Sequence, residues 1–394
     1  MSSTAAGAPI LCVVGARPNF MKIAPVIRAM KGAAPSVPVR LVHTGQHYDP
    51  EMNSQYFQAL GIPDPDINLD VGSASHAVQT AEIMRRFEPV LDAERPAAVL
   101  VVGDVNSTLA CALVAVKKGV AVIHVEAGLR SFDRTMPEEI NRVLTDQVSD
   151  LLFTTEKSAR ENLSREGIPE SRIHFVGNVM IDTLRYNLKQ AVPPARTLVQ
   201  YGAAADWAQK GFAVLTLHRP SNVDDPRTLG SMLDAIREVG RRLPVVFPMH
   251  PRTRVKIEQQ GLSSVLDSRS FLGLPPLGYL EMLGLMQGAR LVLTDSGGIQ
   301  EETTALGIPC VTLRDNTERP VTVEEGTNTV AGQNPARILA VVDEILRTGG
   351  KAGRIPDLWD GRASQRIAAV LREWLDQRPA KILPQINTDE IKNI

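Results

Sequence analysis

The stretch RLVLTDSGGIQEE, residues 290–302, decides how the chain folds. Its first half is a short, unbroken apolar run, which reads as a strand buried on both faces and ending at Asp295. Ser296, Gly297 and Gly298 then present backbone N–H groups at the start of a helix predicted near 298–306. A buried strand that turns straight into a helix is the repeating unit of a parallel α/β sheet. In such open sheets, ligands sit at the carboxyl ends of the strands. A Ser-Gly-Gly turn at a helix N-terminus is a ready cradle for a diphosphate. Glu302 lies one turn in, where a carboxylate can accept two hydrogen bonds from a ribose diol.

Outward from that stretch, the same alternation fills the chain. Runs ILCVVG (10–15), VRLVHT (39–44), AAVLVVG (97–103), VAVIHV (120–125) and DLLFTT (150–155) alternate with helices predicted near 19–31, 76–94, 105–118, 138–148 and 156–166. After residue 178 the pattern repeats. There FAVLTL (212–217), VVFPM (245–249), RLVLTD (290–295) and PCVTL (309–313) alternate with helices near 225–239, 277–288, 298–306 and 334–347. The expectation is an α/β protein with two Rossmann-like, doubly wound domains, residues 1–177 and 178–362, joined near Gly177–Asn178. A last amphipathic helix follows at about 363–378. The tail, 379–394, is expected to be poorly ordered.

Composition narrows the function. The 394 residues exclude a single small module. Lys plus Arg number 43 against 44 Asp plus Glu, a formal net charge of -1, so no bulk positive field invites nucleic acid or a membrane surface. Aromatic residues are 4%, too few for a base-stacking platform. Cys12, Cys111 and Cys310 each sit in an apolar run without a C-x-x-C, which reads as buried thiols in a reducing cytosol. No basic residue precedes the apolar run ILCVVG, and Lys117 and Lys118 split the longest apolar candidate. Neither a signal peptide nor a membrane span is expected, and the location is read as cytoplasmic.

The useful residues are then those just after each strand. GARPNFMK (15–22) puts Gly15, Arg17 and Lys22 at a strand-to-helix turn, where cations and a helix N-terminus favour a phosphate. It is not a G-x-G-x-x-G fingerprint, so no dinucleotide site is read from it. GDVNST places Asp104 at a strand end, a position that also suits a plain turn. HVEAGLRSFDRTMPEEINR places Glu126 at the next strand end, with Arg130, Asp133 and Arg134 in the loop. Glu138, Glu139 and Arg142 fall on a helix start behind Pro137, which is also an ordinary N-terminal helix signal. Three carboxylates converging on one rim can hold their pKa values apart and divide acid and base roles. In the second half, TLHRPSN supplies His218, a candidate proton-transfer group, and FPMHPRT supplies His250 and Arg252 in the same relative place. Arg314 and Arg319 follow the next strand in LRDNTERP. His43 and His47 have a metal spacing only if helical, and Gly45 puts them on a loop, so no metal is expected. There is no G-x-S-x-G elbow either.

Taken together, GARPNFMKIAP, VVGD, HVEAGLRS, PEEINR, FVGNVMID, LHRPSN, LTDSGGIQEE and LRDNTERP resemble the non-hydrolysing UDP-N-acetylglucosamine 2-epimerase family, in matching order from about Gly15 to Gly332. The resemblance implies a GT-B-like arrangement, two Rossmann-like domains facing a central cleft, with the C-terminal helix packing back on the first domain. It also implies interconversion of UDP-GlcNAc and UDP-ManNAc by elimination and re-addition of UDP through a 2-acetamidoglucal, with no cofactor and in a homodimer. The family's catalytic positions fall on Asp104, Glu126, Glu138 and His218. Its UDP contacts fall on Arg17, Lys22, Ser296, Gly297, Gly298, Glu302 and Arg319, with His250, Arg142 and Met282 as further contacts. Met282 stands where some members place an aromatic near the uracil. The chain departs from the pattern in His218-Arg219-Pro220-Ser221-Asn222, where many members have His-Arg-Arg-Glu-Asn. Gln46 and His47 match a second, regulatory substrate site, but Tyr48 stands where an Arg is usual. Other readings share the same cradle: a GT-B glycosyltransferase using a UDP-sugar donor, a hydrolysing 2-epimerase releasing ManNAc and UDP, and a non-catalytic nucleotide-sugar sensor.

Overall fold

The computed structural model describes residues 7–33, 35–45, 64–204, 206–265 and 270–377. The Gln46–His47–Tyr48 segment and the tail 379–394 lie outside these residues. Strands β1 (Ile10–Val14), β2 (Val39–His43), β3 (Ile67–Asn68), β4 (Ala98–Val102), β5 (Ala121–Ala127), β6 (Leu151–Thr154) and β7 (Ile173–Phe175) form one sheet, in the order β3-β2-β1-β4-β5-β6-β7. Strands β8 (Ala213–Thr216), β9 (Val245–Pro248), β10 (Phe271–Leu274), β11 (Leu291–Thr294), β12 (Cys310–Thr312) and β13 (Asn328–Val330) form a second, in the order β10-β9-β8-β11-β12-β13. The strands within each sheet run parallel.

Both sheets are doubly wound because their strands are apolar on both faces. Ile10, Cys12 and Val14 of β1 pack with the helix Arg17–Gly32, while Leu11 and Val13 point the other way, toward the helices His76–Glu94 and Asn106–Lys117. In β11, Val292 faces one core and Leu291 and Leu293 face another, shared with the helices Pro226–Gly240 and Pro335–Thr348. The order reverses between β1 and β4 in the first sheet and between β8 and β11 in the second, and crevices form at such switch points.

One helix, Val179–Asn187, touches both halves. Thr183 Oγ1 donates to the carbonyl of Met21 at 2.5 Å, and the preceding Asn178 donates to Glu301 Oε1 at 2.9 Å. The last described helix, Ala363–Asp376, packs against Arg17–Gly32. Its free N–H groups at Ala363 and Ser364 are taken by the Asp182 carboxylate at 3.0 and 2.7 Å. The three cysteines are buried and unbridged. Among the described residues, no helix is long and apolar enough to cross a membrane, and no group of His, Cys, Asp or Glu is arranged to hold a metal ion.

Among the described residues, nine strands coincide with the apolar runs seen in the sequence. The four it does not announce, β3, β7, β10 and β13, are the four sheet edges. These strands lack a hydrogen-bonding neighbour on one side and are not buried throughout: β3, β7, β10 and β13 each contain partly or fully exposed positions.

Candidate active site

Glu126 sits in β5 at a register shift between Val125 and Ala127, with φ +73°. That is left-handed backbone for a side chain that rarely adopts it, and such strain collects at functional sites. The bulge turns the carboxylate toward the first switch point. There it is ion-paired with Lys22 Nζ from the helix after β1 and with Arg319 Nη2 from the second half of the chain. All three groups are buried, at 4%, 8% and 5% exposure. Gly103, φ +71°, makes the space: a Cβ there would stand 3.2 Å from Lys22 Nζ and 3.2 Å from Asn19 Nδ2.

Behind Glu126, the buried ring of His124 ties the strand end to its loops. Nε2 donates to the carbonyl of Gly103 at 2.9 Å, and Nδ1 meets Asp146 Oδ1 at 2.6 Å. Asp146 also accepts from the N–H of Gly128 at 3.0 Å and pairs with Arg130 at 2.7 Å. Burial pushes the Asp146 carboxyl up, but His124 and Arg130 outweigh it and hold it below the usual carboxylate range.

Asp104 follows Gly103. The helix Pro137–Val148 delivers two partners to it: Arg142 Nη1 at 2.5 Å on the carboxylate and Asn141 Nδ2 at 2.9 Å on the carbonyl. Burial pushes the Asp104 carboxyl up, yet Arg142, Lys22 and Arg319 outweigh it and hold the group below its ordinary range. Arg142 is itself steadied by Glu139 at 2.6 Å, and Glu139 accepts from the N–H groups of Ser131 and Phe132 at 3.0 and 2.8 Å.

The second sheet contributes from β8 and β11. Asp295, fully buried, accepts from the N–H groups of His218 and Arg219 at 2.9 Å each and from Asn222 Nδ2 at 3.1 Å. Its other oxygen lies 2.8 Å from His218 Nδ1, leaving the ring partly exposed. Burial pushes Asp295 up, and the contacts to His218 and the backbone bring it below the usual range. Ser296, Gly297 and Gly298 open the helix Gly297–Leu306, and a Cβ on Gly297 would come within 2.6 Å of Glu318 Oε1. Glu302 accepts from the Tyr279 hydroxyl at 2.9 Å, and burial pushes its carboxyl up to about 7. Glu301 lies 2.7 Å from Arg319 Nε; burial pushes it up to about 7 although Arg319 pulls the other way. Glu318 pairs with Arg314 at 2.8 Å and lies 3.6 Å from Arg219.

The residues expected from sequence therefore divide. Lys22, Glu126 and Arg319 come into direct contact, with Asp104 joined to them electrostatically, while His218 is held by Asp295 at the end of the second sheet's strands. Glu138 stays on the rim, half-buried, while its neighbour Glu139 takes the buried place. His250 is exposed, and its Nδ1 accepts from the N–H of Arg252 at 3.2 Å, with its ring 6.0 Å from that of His218. Met282 is half-buried against the core. Arg17 begins the helix after β1, and its side chain lies outside what is described. Sequence reasoning did not single out Asp295, Glu301, Glu318, Tyr279 or the His124–Asp146 pair as site residues. Only Asp295 carried a signal, its place at the end of the strand before Ser-Gly-Gly.

The pattern of the family described as UDP-N-acetylglucosamine 2-epimerase matches residues 29–372. The UDP-N-acetylglucosamine 2-epimerase of Methanocaldococcus jannaschii is 41% identical over 362 residues, 91% of this chain and 97% of that protein. The UDP-2,3-diacetamido-2,3-dideoxy-D-glucuronate 2-epimerase of Pseudomonas aeruginosa is 43% identical over 369 residues, 92% of this chain and 99% of that one. The crystal structure of the M. jannaschii UDP-GlcNAc 2-epimerase in complex with UDP-GlcNAc and UDP superposes with a TM-score of 0.85 at 40% identity, covering 93% of this chain and 99% of the other.

Proposed function

The chain belongs to the UDP-N-acetylglucosamine 2-epimerase family, and from that premise we propose that it inverts C2 of UDP-N-acetylglucosamine without hydrolysing the sugar nucleotide. The observation that supports this most is the meeting of Glu126 with Lys22 and Arg319: a buried carboxylate beside two buried cations. A C2 hydrogen becomes acidic only as the C1–O bond to UDP breaks and positive charge develops at C1. The site must therefore seat a departing diphosphate and hold an acid or base beside C2.

The proposed reaction balances within the site. A carboxylate takes the C2 proton, the C1–O electron pair leaves on the β-phosphate oxygen, and a C1=C2 double bond forms as a 2-acetamidoglucal. Protonation of C2 on the opposite face and return of the same oxygen to C1 give UDP-ManNAc. Asp104, Glu126, Glu138 and His218 are the proposed proton-transfer groups. Lys22, Arg319 and the N–H groups at Ser296, Gly297 and Gly298 receive the diphosphate, with Arg17 as a further cation. Glu302 accepts from the ribose hydroxyls. Two domains dividing near Gly177–Asn178 and a homodimer are part of the same proposal.

The test is incubation with UDP-GlcNAc in heavy water. The expected products are UDP-ManNAc and UDP-GlcNAc, both deuterated at C2, with no build-up of free UDP. Free UDP rising in step with free sugar would replace this reading with the hydrolysing one. The same assay with the diacetamido-glucuronate nucleotide is the fitting comparison, because that sugar names a relative at similar identity.

A further inference from the structure

Two of the cations assigned to the diphosphate, Lys22 and Arg319, are already occupied by one carboxylate. Lys22 Nζ meets Oε2 of Glu126, and Arg319 Nη2 meets its Oε1. We infer that Glu126 and the diphosphate compete for Lys22 and Arg319, and that an incoming diphosphate displaces Glu126 from both cations and so releases it to exchange protons with the sugar. The inference rests on the proposed diphosphate seat and adds an order of events to it.

Three features give the exchange a direction. Arg319 does not depend on Glu126 for its place, because its Nε lies 2.7 Å from Glu301, which Asn178 holds at 2.9 Å. It can pass from a carboxylate to a phosphate without losing its anchor. Its Nη1 and Nε are both buried without a hydrogen bond among the described residues, Nε being held to Glu301 by charge alone, so the guanidinium has donors for a further oxygen. Glu126 cannot withdraw far, since the bulge at Val125/Ala127 fixes its backbone in the left-handed region and His124 clamps the strand behind it. Once displaced, it remains beside the sugar site facing an anion. The base is thus released only when the leaving group is seated.

Competition of this kind is read by binding alone. Titration calorimetry with UDP, uridine and inorganic pyrophosphate compares wild type with Glu126→Gln, which keeps the shape but gives up the charge. Glu126→Gln is expected to bind UDP and pyrophosphate at least tenfold more tightly than wild type, and uridine equally. The shorter carboxylate of Glu126→Asp, unable to span both cations, is expected to fall in between and guards against a misfolded Gln variant. Equal or weaker UDP binding in both folded variants overturns the inference, and a purely structural role for Glu126 predicts that outcome. No turnover is needed, so the result is independent of the heavy-water assay. Loss of epimerisation in wild type would remove the proposed function and leave the competition standing or falling on its own.

Discussion

The pair His218–Asp295 gives the most demanding test, because one atom change separates its two jobs. Asp295→Asn keeps volume and shape at a fully buried position. The native carboxylate accepts from His218 N, Arg219 N and Asn222 Nδ2 and faces His218 Nδ1 at 2.8 Å, four donors on two oxygens. An amide offers one oxygen and turns a donor toward the rest. Three of the donors share Oδ2, so an amide that keeps its oxygen there loses the one contact to His218 Nδ1. A hydrogen bond to a buried charged group is worth about 1.5–3 kcal/mol, and the stability cost should be of that size. Because the folded Asp295 carboxyl titrates below its ordinary range, its stabilisation is complete above about pH 4 and fades as pH falls through the lower folded value. The gap between variant and wild type should stay constant from pH 6 to 8 and narrow only in acid. In function, the carboxylate fixes which nitrogen of His218 carries the proton and where the ring points. Loss of a positioned proton-transfer group costs about 10²–10⁴-fold, so kcat for UDP-GlcNAc epimerisation, followed by chromatography of the two sugar nucleotides, should fall at least 100-fold. UDP affinity should change only a few-fold. A variant that folds and turns over within threefold of wild type would refute the role given to His218.

Tyr279→Phe removes the hydroxyl that fixes Glu302 at 2.9 Å, and should raise KM for UDP-GlcNAc about tenfold with little change in kcat. Steady-state kinetics with the 2′-deoxyribose nucleotide should show a smaller difference if Glu302 reads the ribose. Burial pushes Glu156 and Glu302 each up to about 7, so the folded chain holds these protons more tightly than the unfolded one. Their contribution is full below about pH 4 and lost as pH rises through about 7, and the ligand-free melting temperature should decline from pH 5.5 to 8. Glu302→Gln should flatten that slope; an unchanged slope in both Glu302→Gln and Glu156→Gln would exclude the two groups. His124→Ala frees the Gly103 carbonyl and Asp146 together, and should cost about 3 kcal/mol of stability in thermal melts. It should also slow deuterium incorporation at C2 more than tenfold by loosening Asp104 and Glu126, and unchanged exchange would limit His124 to a structural part.

How far the sequence carries the reading depends on whether a residue's partner is near or distant along the chain. The central strands announce themselves because each must be apolar on both faces, and the residues after them inherit a place at the crevice. Asp104, Glu126, His218 and Ser296 were legible for that reason alone. The pairings made by partners from elsewhere in the chain were not, even where a partner such as Arg319 was itself expected at the site. Arg319 reaches Glu126 across 193 positions, Glu301 reaches Asn178 across 123, and Tyr279 reaches Glu302 from the start of a separate helix, 23 positions away. Nothing local in those residues records the meeting. Adjacent acids expose the limit most sharply. Neighbours on a helix point about 100° apart, so in each Glu-Glu pair the two carboxylates must face different surroundings. In PEEINR, Glu139 turns inward to Arg142, three residues on, and leaves Glu138 at the rim. In GGIQEE, Glu301 turns to Arg319 and Glu302 to Tyr279. Both acids have a helix-compatible spacing to Arg142, i,i+4 from Glu138 and i,i+3 from Glu139, so the sequence leaves open which of them pairs with it. Nor does spacing distinguish Glu301 from Glu302, and only the packed helix Tyr279–Gly288 does so.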